Sequence, residues 1–132
     1  MRLPGRVVRL TLTGPILPPE PVVTKSARLL RIEALLAEDP TDAFLRYGQA
    51  MEYASGGDDA TAADLLRQLI AVGGDAPYIP AFLMAGQTYA RLGEEGKAAD
   101  VLNAGIAAAR RANTAESLHA MGEMQGLLAT VE

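Results

Sequence analysis

YASGGDDATAADLLRQLIA, residues 53–71, and YARLGEEGKAADVLNAGIA, residues 89–107, are two copies of one pattern. Set 36 residues apart they share nine positions: Tyr53 with Tyr89, Ala54 with Ala90, Gly57 with Gly93, Ala62 with Ala98, Ala63 with Ala99, Asp64 with Asp100, Leu66 with Leu102, Ile70 with Ile106 and Ala71 with Ala107. A fixed period of a few tens of residues marks stacked supersecondary units, each too small to bury its apolar side alone.

Working outward, the apolar spacing is helical. SARLLRIEALLAED puts Leu29, Ile32 and Leu36 on one stripe with Leu35 beside it, which predicts a helix over about 26–38. Asp39-Pro40 stops it, because a residue before proline avoids the α region, and the same pair is read as cap and first turn of a helix over about 41–55. Gly56-Gly57-Asp58-Asp59 then ends that helix and caps the next, over about 59–72. Gly73–Pro77 is the second break. Helices follow over about 79–92 and 95–112, and Asn113-Thr114-Ala115-Glu116 reads as a capping box opening a last one to about 129. No strand is expected within this region.

Residues 1–25 differ from the rest. Five of the eight prolines lie here, four of them in PILPPEP (Pro15 to Pro21), and Arg6–Thr13 alternates like a strand with no second strand to pair with it. The segment is read as a basic, disordered or loosely docked tail. Residues 1–31 carry six Lys/Arg against one acid, Glu20, whereas residues 32–132 carry six basic groups against fifteen acidic ones. So acidic a body repels nucleic acid. There is no cysteine, hence no disulfide or thiolate metal site, and no apolar run approaches the ~18 residues a membrane-spanning helix needs. A cytoplasmic protein is expected.

The second copy with its leading helix, FLMAGQTYARLGEEGKAADVLNAGI, resembles the tetratricopeptide repeat (TPR) family, whose unit is a helix-turn-helix of ~34 residues. Phe82 takes the large place opening the first helix, Gly86 the small place where the two helices touch, and Tyr89 the aromatic place. Gly93 is the turn glycine, Ala98 the small residue opening the second helix, and Leu102 and Gly105 the large and small places after it. The first copy supplies Ala50, Tyr53, Gly57, Ala62 and Leu66 at matching offsets. It departs from the pattern at Arg46, where a large apolar residue belongs, and at Leu69, where a small one does. The spacing of 36 puts the surplus in the Gly73–Pro77 linker.

The resemblance implies an all-α fold of antiparallel helical hairpins stacked as a short TPR-like α-solenoid. Its repeats span about 43–78 and 79–112, with cap helices over about 26–38 and 114–129, a two-repeat protein of bacterial type. It implies a protein–protein interaction module, an adaptor or scaffold, that holds a peptide or protein segment on its concave face. The first helix of each repeat lines that face, with Tyr47, Met51, Ala54 and Ser55 from one and Leu83, Gln87, Ala90 and Arg91 from the next. Of these, Tyr47, Met51, Leu83, Gln87 and Arg91 are the candidate partner-binding residues. The lysine and asparagine clamp of chaperone-binding members is missing, which favours an apolar segment. The alternative is a structural subunit that homo-oligomerises or packs permanently into a larger complex.

Catalytic signals are thin. His119 shares a helix face with Glu116 and Glu123, but a carboxylate–histidine metal site of that spacing needs a second such motif, and this is the one histidine. GGDD at Gly56–Asp59 lacks the preceding strand and following lysine of a phosphate loop and reads as a helix–helix turn. Glu94/Glu95 and Asp58/Asp59 sit at helix starts, where the dipole favours negative charge. No enzymatic activity, cofactor or metal is expected.

Overall fold

A computed structural model describes residues 25–132; the Pro-rich tail before Lys25, with its alternating stretch Arg6–Thr13, lies outside them. Among the described residues there are six helices and no strand: α1 (Ala27–Glu38), α2 (Ala43–Ser55), α3 (Asp59–Gly73), α4 (Ile79–Arg91), α5 (Glu95–Ala112) and α6 (Ala115–Val131). Each packs on its neighbour in chain order, and α6 also reaches back to α4, so the fold is all-α and helical-repeat-like.

The 36-residue echo builds two identical corners. Gly57 (φ 90°) and Gly93 (φ 75°) take the left-handed conformation after α2 and α4. There Asp58 N–H donates to Tyr53 C=O and Glu94 N–H to Tyr89 C=O, each at 2.9 Å, the bond that closes a helix end over a glycine. α3 then starts on Asp58, whose carboxylate accepts from Thr61 N–H at 3.1 Å. α5 starts on Glu94, which makes no side-chain cap; its first turn carries Glu95 against the helix dipole instead.

Two caps fall elsewhere than the sequence reading placed them. α2 is capped by Asp42, accepting from Leu45 N–H at 2.8 Å, and not by Asp39 with Pro40 in the first turn. Asp39 instead closes α1 by donating its N–H to Leu35 C=O at 3.0 Å, which leaves Pro40 in the intervening turn. α6 is opened by Thr114 with Ser117 as reciprocal partner, at 3.0 and 2.8 Å. Asn113 is spent as the left-handed end of α5, at φ 52°, so it cannot also cap α6 with Glu116.

The hairpins close through small residues, as their spacing implied. Ala50, Ala62, Ala98, Leu66 and Leu102 are all fully buried. A Cβ on Gly86 would overlap the Leu102 side chain, so glycine lets α4 and α5 touch there. A Cβ on Gly105 would stand 2.5 Å from both Met124 Sδ and Phe82 Cβ, which makes Gly105 the meeting point of α4, α5 and α6. Each buried leucine contributes about 1.5–3 kcal/mol by leaving water. Leu69, irregular for the pattern, is buried in the α2–α3–α4 core with Leu66 and Ala85.

Candidate protein-binding surface

The sequence reading named a face shared by α2 and α4, and three of its five residues do meet there. Met51, Gln87 and Arg91 border one depression of about 210 Å³ between the two helices, together with Ala54, Ser55 and Met84. Met84, Gln87 and Arg91 follow one another at three- and four-residue steps, a single stripe of α4. Met84 escaped the sequence reading because it was not counted with that stripe.

Arg91 is anchored. Its Nε and Nη2 donate to Asp59 at 3.2 and 3.0 Å, and Nη2 reaches Thr88 Oγ1 at 3.4 Å. The pair ties the end of α4 to the start of α3 and neutralises the one cation that borders the depression among the described residues. What remains is a mixed lining in which two methionines and an alanine alternate with Ser55 and Gln87, which can donate and accept hydrogen bonds.

Tyr47 and Leu83 go elsewhere. Leu83 is half-buried on the core cluster of Phe82, Leu102, Ile106 and Met124, the cluster that α6 covers. Tyr47 packs on Tyr78, ring centroids 5.3 Å apart at 53°, and borders a second hollow rather than this one. Burial holds its phenol above the ordinary value, with Tyr78 and then Glu123 of α6 adding to the effect. α6 packs on α4 as well as on α5 and not on α2.

That second hollow, of about 460 Å³ between α1 and α2, is lined by Ile32, Phe44, Leu45 and Gly48 among others. It was not foreseen, although Phe44 is one of only two phenylalanines and faces Pro80 in the 36-residue register. A third hollow of about 350 Å³ lies between α3 and α5 over Ala85 and Tyr89. Its rim cations are already engaged: Arg67 with Asp64 at 2.8 Å, and Lys97 with Glu94 at 2.9 Å, 5.9 Å above the Tyr89 ring. Glu94 accordingly raises the Lys97 pKa.

His119 stands in solvent with its side chain 81 % exposed and Nε2 4.0 Å from Glu123. No group of three or more His, Cys, Asp or Glu side chains able to hold a metal ion occurs among the described residues. No described helix is long and apolar enough to cross a membrane.

These features define a helical-repeat-like protein with shallow hollows between its helices. It is similar to a protein from Bordetella parapertussis, a structural-genomics target solved in solution, with a TM-score of 0.66 and 24 % identity over 80 % of this chain and 88 % of that one. At that identity the likeness speaks for the fold alone. No family model and no curated protein matches the chain.

Proposed function

We propose that the chain is a small TPR-like interaction module, an adaptor or scaffold that holds a protein segment in the depression between α2 and α4 and works by binding alone. The observation that supports it best is the composition of that depression. Met51 is 38 % exposed, the bordering cation is neutralised by Asp59, and a glutamine amide stands beside two methionines. Such a mixed surface suits a neutral segment of both apolar and polar character, whose backbone Gln87 and Ser55 can hydrogen-bond and to whose shape methionine adapts. At about 210 Å³ it takes one or two side chains, so the remaining contact would run along α2.

Tyr47 and Leu83 enter this reading as supports, since both are packed in the fold. The test is affinity capture from the source organism with wild type, Met51→Glu and Gln87→Glu, each first shown to unfold at the wild-type temperature. A defined protein held by wild type and lost by both variants is the expected result. Equal capture by all three refutes the assignment.

A further inference from the structure

The outward side of α1 carries a charge order that matches itself when reversed. Arg28 and Arg31 precede Leu35; Glu38 and the helix-closing Asp39 follow it. Arg31, Leu35 and Glu38 are spaced four and three residues apart, so they form one stripe. Arg31 and Glu38 join no ion pair among the described residues, and Arg28 reaches Glu52 only at 3.5 Å with its side chain 73 % exposed.

Beside this stripe lies apolar surface that the described residues leave exposed. Leu35 is 46 % exposed and Phe44 is 70 % exposed, and Ile32, one turn before Leu35 on the same side of α1, lines the 460 Å³ hollow with Phe44 and Leu45. α1 packs on α2 and on no other described helix.

We propose that this face docks a second copy of the chain, α1 against α1 in antiparallel order about a twofold axis near Leu35. In that register Arg31 stands within about one residue of Glu38 of the copy, and Arg28 lies over the C-terminal end of the copy's α1 at Asp39. Each cation then meets an acid at both ends, while Leu35 and Phe44 cover the apolar middle. A parallel pairing would instead oppose like charges. An unrelated partner has no reason to be matched by a pattern that is its own complement. Met51 borders both this hollow and the α2–α4 depression, but Arg31, Glu38 and Phe44 do not line the depression and Gln87 does not line this hollow, so variants at those positions test the two proposals apart. A 12-residue helix is about 18 Å long, and a patch of that length two helices wide falls below the ~800 Å² per partner of a standard interface. The association is therefore weak.

Sedimentation of the full chain over about 1–500 µM tests this; the expected result is a rise toward twice the chain mass with a dissociation constant of tens of micromolar. Because the axis uses every contact twice, Arg31→Glu or Glu38→Arg alone weakens association at least about tenfold. Mixing those two variants restores it as a one-to-one heterodimer, an outcome that a folding defect cannot produce. Phe44→Glu abolishes association at an unchanged melting temperature. A monomer at every concentration overturns the proposal and assigns the face to another occupant, residues 1–24 or a different protein. So does a dimer indifferent to both charge reversals.

Discussion

α2 and α4 occupy the same place in the 36-residue register, yet α4 buries Ala81, Phe82, Ala85, Gly86, Thr88 and Tyr89 while α2 buries Ala50 alone. Their flanks explain it. α4 lies among α3, α5 and α6. α2 has α3 on one side and on the other α1, which fully buries Leu29 alone and adds polar contacts: Glu33 accepts from Lys25 at 2.9 Å, Gln49 at 3.3 Å and Tyr53 at 3.4 Å, and Glu52 accepts from Ser26 at 3.0 Å. Even the matched tyrosines diverge, Tyr89 in the core and Tyr53 spending its hydroxyl on Glu33. Repetition therefore encodes the hairpin, and the number of neighbours decides which side of it stays available for contact.

Substitutions at matched or neighbouring places should expose this asymmetry in denaturant unfolding. The largest contrast lies between the two phenylalanines. Phe82→Ala empties a packed site and should cost about 3–5 kcal/mol, whereas Phe44→Ala, on an exposed ring, should stay within about 0.5 kcal/mol. Equal losses would mean that α1 and α2 form a core as dense as that around α4.

Next come two glycines whose substitution should change stability in opposite directions. Gly86→Ala forces Leu102 aside and should destabilise by about 1–3 kcal/mol. Gly48→Ala meets only Ile32 Cδ1, at the ordinary contact distance of 3.4 Å, and should stabilise by roughly 0.5–1 kcal/mol by stiffening the unfolded chain. A double-mutant cycle on Arg91 and Asp59 should give a coupling below about 1 kcal/mol, because both side chains are partly exposed.

The smallest expected effect concerns pH. The Lys25 hydrogen bond, with help from Gln49 and Tyr53, holds the Glu33 carboxyl below its ordinary value of 4.5. A lowered folded pKa means stability that is present above the unfolded value and lost as pH falls through the folded one. Amide exchange in α1 should therefore accelerate relative to α4 below about pH 4.5, and Glu33→Gln should remove the difference between neutral and acid conditions. An α1 whose protection is unchanged by acid would show that its apolar stripe alone holds it.

Much of the fold was legible in residue types. Gly57, Gly86, Gly93, Ala98, Leu102 and Gly105 do what their places imply, since backbone sign and closest approach are local demands that few residues can meet. Caps were less legible because several residues near each break could serve, and the one adjoining the first helical turn, Asp42 or Thr114, takes the role. The candidate face was legible only in part. Met51, Gln87 and Arg91 follow from register, but the packing of Leu83 depends on where α6 lies, and that is a property of another helix. The anchoring of Arg91 by Asp59 joins residues 32 apart, and no periodicity announces it.

The central claim is that the depression on the sparsely covered α2 edge is where a partner lies. Photo-crosslinking in cells from single positions measures this most directly. The account predicts adducts to one defined protein from Met51 and Gln87, and none from Gln68 or Asn103 on the solvent sides of α3 and α5. Adducts from Gln68 or Asn103, with none from Met51 and Gln87, would contradict it.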